Sequence, residues 1–398
     1  MSGIFIRGIG MTQIGLQLDR SLKQMTAEAI ALALDDADLE RGDIDGLFFG
    51  NCLAGLIIGV EATRAPITCL PAGFGEIPIH AIENACATGG DALHMAYMAI
   101  ASGLHETVLV VGAEKANHED RQKAFKAMRG GLDPDEDLEK SFELSDGAGE
   151  NRTLAVDRHA LIARRRMAEF GLEIEDLARL CAVNYSNAAR NPLAHRRSGP
   201  TAEKILADRV VVPPLTRLMM CPISDGAAAV VISAKRGGAK SGGHVRVAAS
   251  RTATRSRLDD PGGPPAAKSA STRAYSDLGI TAADLGCAEL HDASVAYLLL
   301  AMEDTGICPA EEQLDWIRGG ATRIEGHFPI NMSGGSLARG HAPGATGVAQ
   351  ICELVSQFRG TSAGRQIPNR PELALACCAG GTIQFETAVA SVHVLTRD

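Results

Sequence analysis

Two cysteines and a histidine stand beside glycines in three separate parts of this chain. The first block reads Glu83-Asn-Ala-Cys86-Ala-Thr-Gly-Gly90, the second Asn331-Met-Ser-Gly-Gly-Ser-Leu-Ala-Arg-Gly-His341-Ala-Pro-Gly-Ala-Thr-Gly347, the third Ala376-Cys-Cys378-Ala-Gly-Gly381. A thiol that accepts an acyl group, an imidazole that takes its proton and a second thiol that moves a proton at carbon make up covalent acyl-transfer chemistry. Cys86 precedes a predicted helix, where the helix dipole is expected to favour thiolate and lower its pKa. The neighbouring glycines are expected to let a substrate approach backbone N–H groups closely. Pro343 suits the first turn of a helix that follows His341. Of the adjacent pair Cys377 and Cys378, strand alternation allows one to face the site, and the spacing to the glycines selects Cys378. A fourth stretch, Glu289-Leu-His291-Asp292-Ala-Ser294, offers His291 as a hydrogen-bond donor and Asp292 as a cap for the helix after it.

These residues need a scaffold, and the hydrophobic pattern indicates an α/β one. Ile4–Ile9 alternates as a half-buried strand, Thr26–Leu39 carries a helical period, and Ile44–Phe49 is a short apolar strand. Residues 87–102 form a second helix, and His105–Gly112 is an almost continuous apolar run of the kind buried on both faces. The region 115–220 breaks the rhythm with an acidic run, Asp133–Asp137, a helix at 154–170 and a basic turn-rich stretch, and is expected to cover the core's surface. Alternation resumes at Ser224–Ile232. Gly237–Gly243 is flexible by composition and marks the expected boundary between an N-terminal half, 1–236, and a C-terminal half, 237–398. The second half repeats the order of the first, with a strand at His244–Ser250, a helix after the His341 block and a strand at Leu373–Cys378. An internal duplication is the simplest account.

Composition narrows the function. A chain of 398 residues can bury a large core. Its net charge of -9 argues against nucleic acid, which calls for a basic footprint. The ten cysteines show no zinc-ligand spacing, so no metal is expected from the pattern. The start has no signal-peptide blocks and no run approaches the length of a membrane span, so free thiols in a reducing cytoplasm are expected.

Taken together, the three blocks resemble those of the thiolase family, and more narrowly its sterol-carrier-protein-type branch with a His-Asp motif. The stretch from Glu169-Phe-Gly to Asn191-Pro and the segment Pro214-Leu-Thr … Cys221-Pro-Ile-Ser-Asp-Gly226 are similar to that branch as well. The resemblance implies a thiolase fold of two duplicated α/β/α halves in a five-layered core with an inserted loop region. It implies a CoA-dependent acyltransferase: Cys86 as nucleophile, His341 as its base, Cys378 as acid and base at the α-carbon. His291 and His341 would form one oxyanion hole, and the N–H groups of Cys86 and Gly380 a second. Arg196, Arg197 and Arg217 are candidates for CoA phosphates on charge alone. A dimer, and a small zinc-ribbon/OB-fold partner subunit, follow from the same resemblance, as does a bulky or aromatic 3-oxoacyl-CoA such as benzoylsuccinyl-CoA. The sequence departs from the family where Ala-Ser follows His291-Asp292, where Ala342 separates His341 from Pro343, and where Thr382 follows Gly381. An aldolase or ketoacyl synthase on the same fold, or a non-catalytic acyl-CoA- or lipid-binding subunit, are the alternatives.

Overall fold

The computed structural model describes residues 3–131, 154–237, 243–260, 262–383 and 385–398. The acidic run at 133–137 and most of the glycine-rich boundary at 237–243 lie outside them. Nine strands form one sheet: β1 (Phe5–Met11), β2 (Gly46–Gly50), β3 (Ile79–Ile82), β4 (Thr107–Glu114), β5 (Gly226–Ser233), β6 (Val245–Thr254), β7 (Cys287–Leu290), β8 (Leu373–Ile383) and β9 (Glu386–Arg397). Their spatial order is β3-β2-β4-β5-β1-β6-β9-β8-β7. The two sides of the sheet repeat each other outward from the middle. β1–β5 and β5–β4 are antiparallel and β4–β2 parallel, while β6–β9 and β9–β8 are antiparallel and β8–β7 parallel. The sides join through a short β1–β6 pairing at Phe5 and Ile6.

Eight helices frame the sheet and the site: α1 (Leu22–Ala37), α2 (Thr88–Ala101), α3 (Leu154–Phe170), α4 (Ile174–Ala189), α5 (Ala266–Leu278), α6 (Val295–Asp304), α7 (Gly335–Ala338) and α8 (Pro343–Arg359). α1 packs on β1 and β5, and its counterpart α5 on β6 and β9. Between the two sides lie α2 and α8, which pack on each other and on strands of both. Helix, one side of the sheet, helix pair, the other side of the sheet and helix make the five layers.

Local chemistry explains most boundaries. The eight residues of β4 are all buried, as its unbroken apolar run requires. β1 alternates half-buried and buried residues. α1 begins four residues before the periodicity suggests, because Ser21 and Gln24 close a capping box: Gln24 N–H donates to Ser21 Oγ at 3.2 Å and Ser21 N–H to Gln24 Oε1 at 2.8 Å. The region 115–220 does more than cover the core. Leu177 and Tyr185 of α4 are fully buried in one cluster with Leu290 after β7's start and Leu337 of α7, so this region shares the core on which the His291 and His341 segments rest. Among the described residues no helix is long and apolar enough to cross a membrane, and all ten cysteines are free thiols.

Candidate active site

Two helix N-termini bring the first thiol and the imidazole together. Cys86 sits in a single 3-10 turn, Ala85–Ala87, that runs into α2. Ala85 has φ +48°, and Thr88 stabilises the turn by accepting from Asn84 N–H at 2.8 Å and donating to the Ala85 carbonyl at 2.6 Å. His341 immediately precedes the N-cap of α8, whose first residue is Pro343 as expected. The glycines flanking both residues serve helix contact. A Cβ on Gly89 would stand 2.8 Å from the Gly344 carbonyl oxygen, and one on Gly347 2.3 Å from Gly90 N. Expected as openings for substrate, these glycines instead let α2 and α8 touch backbone to backbone.

His341 Nε2 lies 3.0 Å from Cys86 Sγ. Its other nitrogen, Nδ1, lies 2.9 Å from Thr346 Oγ1, and that hydroxyl donates its single hydrogen to the Ala342 carbonyl at 3.0 Å. Thr346 therefore accepts from Nδ1–H, which leaves the Nε2 lone pair facing the Cys86 thiol. Cys86 is half-buried, whereas His341 is 3% exposed.

Cys378 projects from β8 onto the same spot. Its Sγ lies 2.8 Å from the Cys86 carbonyl oxygen and 3.9 Å from His291 Nδ1. Its neighbour Cys377 packs in the largest hydrophobic cluster, on the opposite face. Two residues on, Gly380 brings the β8 backbone against the nucleophile's turn: a Cβ there would stand 2.4 Å from Cys86 N and 2.7 Å from Ala87 N. His291 follows β7, and its ring centroid is 5.3 Å from that of His341. Tyr297 of α6 meets the His291 ring edge-on at 5.2 Å. Cys86, Cys378, His291 and His341 thus form one cluster, with Gly380 alongside.

The arginines are elsewhere in their bonding. Arg196 donates to Tyr185 Oη at 2.7 Å and to the Met220 carbonyl at 2.8 Å, so its guanidinium ties α4 to a loop. Arg217 pairs with Asp208 at 3.0 Å, and Arg197 is exposed. A cleft of about 330 Å³ on the outer side of α4 collects Arg179, Arg190 and Arg323 beside Ser186 and Asn187, apart from the four-residue cluster.

The electrostatics correct one expectation. The helix dipole does not make Cys86 acidic: burial pushes its thiol up to about 12, reinforced by Cys221, Glu114 and Glu83 nearby. Burial likewise raises the Cys378 thiol well above its ordinary value, with Cys86 and Cys377 adding to it. Burial lowers the pKa of His291 to about 3 and that of His341 well below 6.5, the positive charge of buried Arg339 acting in the same direction on both. Burial thus favours neutral imidazoles and protonated thiols, and places the His341 Nε2 lone pair 3.0 Å from Cys86 Sγ as the adjacent proton acceptor.

Asp292 is a second correction. Ser294, not Asp292, caps α6, accepting Tyr297 N–H at 3.1 Å. Asp292 reaches the short helix before His341 instead, accepting from Ser336 N–H at 2.5 Å, Leu337 N–H at 3.3 Å and Asn184 Nδ2 at 2.7 Å. It ties α4, the His291 turn and the His341 loop together. Glu114 does similar work on the other side: its buried carboxylate accepts N–H groups of Cys52, Leu53, Ala54 and Gly344 at 2.9–3.2 Å. Its signal in the sequence was an acidic residue closing an otherwise apolar strand. Thr346 had a signal too, a hydroxyl in the first turn of the helix after His341.

Comparison with known proteins points one way. Residues 4–198 match the family model for the thiolase N-terminal domain, and residues 247–396 the model described as thiolase C-terminal domain-like. An acetyl-CoA acetyltransferase of Methanothermobacter thermautotrophicus is 34% identical over 410 residues, covering 100% of both chains. The benzoylsuccinyl-CoA thiolase subunit of Thauera aromatica is 30% identical over 95% of this chain and 94% of its own. Among solved structures, a chain of the Ltp2-ChsH2(DUF35) aldolase superposes with a TM-score of 0.77 at 25% identity, covering 100% of this chain and 98% of that one.

Proposed function

The chain belongs to the thiolase family, and we propose that it cleaves a 3-oxoacyl-CoA, or condenses acyl-CoAs in reverse, through an acyl group carried on Cys86. As a family member it is a thiolase, an acyl-CoA C-acyltransferase that uses CoA as substrate. The observation that carries the residue assignment is the 3.0 Å approach of His341 Nε2 to Cys86 Sγ, with the tautomer set by Thr346.

In this reading His341 takes the Cys86 proton as sulfur attacks the 3-keto carbon. The tetrahedral oxyanion is received by the N–H groups of Cys86 and Gly380, which the glycine lets come together. The C2–C3 bond then breaks, and the enolate oxygen of the shortened CoA ester faces His291 and the newly protonated Nε2 of His341. Cys378 gives its S–H proton to C2. A CoA thiol enters, loses its proton to the Cys378 thiolate and takes the acyl group from Cys86, whose departing sulfur recovers its proton from His341. The two oxyanion sites are distinct because negative charge develops on different oxygens at different steps.

The substrate we favour is bulky or aromatic, with benzoylsuccinyl-CoA as the example suggested by the Thauera relative. We also propose a dimer that pairs edges at β3. That strand ends the sheet with no partner on its outer side among the described residues, and Ile67, Leu70, Met95 and Met98 are exposed around it. A small zinc-ribbon/OB-fold subunit is the proposed partner. An aldolase reading has the Ltp2-ChsH2(DUF35) likeness behind it, yet it would leave the Cys86–His341 pair without a task.

Intact mass after incubation with acetoacetyl-CoA and with an aryl 3-oxoacyl-CoA tests the reading, using Cys86→Ser as control. An acyl adduct on the unmodified chain that is missing from the control is expected. Cleavage of the substrate without any adduct, undiminished in Cys86→Ser, would favour the aldolase.

A further inference from the structure

The neutral groups around Cys86 have the composition and spacing of a soft-metal site. Cys86 Sγ and one ring nitrogen each of His291 and His341 all lie within 4.8 Å of one another. Cys378 Sγ is 3.9 Å from His291 Nδ1. Zinc holds sulfur at about 2.3 Å and imidazole nitrogen at about 2.0–2.1 Å, which places ligand atoms of a tetrahedron about 3.3–3.8 Å apart. The observed spacings bracket that range, and opening the 3.0 Å Cys86–His341 contact by about 0.5 Å would bring it inside.

We propose that Cys86, His291 and His341 bind a thiophilic divalent cation, Zn²⁺ in particular, which holds the protein in a reversibly silenced state. Binding exchanges one proton for one metal–sulfur bond: the Cys86 thiol releases its hydrogen to solvent, the thiolate bonds to zinc, and each imidazole donates a lone pair. No oxidant or reductant takes part, and a water completes the fourth position.

Three features prepare the site. The His291 and His341 rings are both buried and stand with their centroids 5.3 Å apart. Tyr297 packs against the His291 ring at 5.2 Å. The outer nitrogen of His341 is already engaged with Thr346, the kind of partner that fixes a metal-ligating ring. Cys86 is half-buried, so an ion can enter from the solvent side. The ligands come from β7's end, the start of α2 and the loop before α8, which is why no zinc spacing shows in the sequence. The metal site stands on the ligand geometry of the free thiol, and only the silencing rests on the proposed function of Cys86.

Co²⁺ titrated into the full chain, with Zn²⁺ displacing it, gives a direct readout. One equivalent should produce a thiolate-to-cobalt charge-transfer band with the intense visible bands of four-coordination. Cys86→Ser should lose the charge-transfer band, and His291→Gln should weaken binding about tenfold or more. No band in the unmodified chain, or an unchanged band in folded Cys86→Ser, overturns the proposal. Should the variants not fold, iodoacetamide labelling of the unmodified chain read by peptide mass decides. Stoichiometric Zn²⁺ should slow labelling of Cys86 at least tenfold while leaving half-buried Cys52 unaffected, and equal slowing of both, or of neither, rejects the site.

Discussion

Gly347 of α8 meets Gly90 of α2 with no side chain between them; a Cβ on Gly347 would stand 2.3 Å from Gly90 N. This contact sets the separation of the two helix starts that carry Cys86 and His341. Gly347→Ala has to push α8 away from α2, and a shift of about 1 Å in a reacting pair costs on the order of a hundredfold in rate. Overpacking of this kind also destabilises by about 1–3 kcal/mol. We expect the variant to fold, to melt lower and to acylate Cys86 on the order of a hundredfold more slowly. A variant that melts lower yet acylates at the parent rate would show that the glycine contact does not position the pair.

Thr346 touches no substrate in the proposed mechanism and acts only through His341. Thr346→Val keeps the volume and removes the acceptor for Nδ1–H. The Ala342 carbonyl keeps its helical partners, Ala345 N–H at 2.8 Å and Thr346 N–H at 2.9 Å, so the turn is not stripped of bonds. The expected result is an acylation rate about tenfold to a hundredfold lower, with little change in melting temperature and recovery in Thr346→Ser. Recovery by serine separates loss of the acceptor from loss of packing.

Much of this arrangement was legible in the sequence, and the reasons for the gaps are physical. β4 could be read because a doubly buried strand needs an unbroken apolar run; strand alternation left one of Cys377 and Cys378 for the site, and the spacing to the glycines selected Cys378. The start of α1 was missed where Ser21 and Gln24 capped it. The task of Asp292 was misjudged because the nearest helix in sequence was not the nearest N-terminus in space; its carboxylate bonds Ser336 N–H and Leu337 N–H. The pKa of Cys86 went the other way from the helix-dipole argument because local sequence reports the dipole and not the burial. The glycines beside Cys86 and His341 were conspicuous, but only the crossing of α2 and α8 shows what they face.

The resting protonation state has a consequence for pH. An imidazole whose pKa is depressed in the folded chain is available as a base above that pKa and is lost as pH falls through it. His341 is held well below 6.5 and the Cys86 thiol at about 12, so the neutral pair dominates through pH 6–9. Single-turnover acylation should therefore vary by less than about threefold across that window. A limb centred between pH 6 and 7 would mean that His341 titrates near its ordinary value, against the burial of its ring. The same depressed values make stability fall in acid. His159, His291 and His393 are each held at about 3, so the unfolded chain binds more protons below 6.5. Each of them loses about 2 kcal/mol of stability by pH 5, and the melting temperature should drop steeply between pH 7 and pH 5.

Cys378 divides the proposed reaction into a part that needs it and a part that does not. Its Sγ is 2.8 Å from the Cys86 carbonyl oxygen, beside the nucleophile but not in contact with its sulfur through any hydrogen bond. Exchange of an acyl group between CoA thioesters uses only Cys86 and His341, because no C–H bond forms or breaks. Thiolysis of a 3-oxoacyl-CoA also has to protonate the departing enolate at C2, a step for which a positioned acid contributes about 10²–10⁴-fold. Cys378→Ala should keep acyl-CoA exchange near the parent rate while thiolysis drops by about that factor. Equal loss of both activities would place Cys378 in the acylation step itself, and equal retention of both would hand the carbon proton to another group, with His291 Nδ1 at 3.9 Å from the sulfur as a candidate.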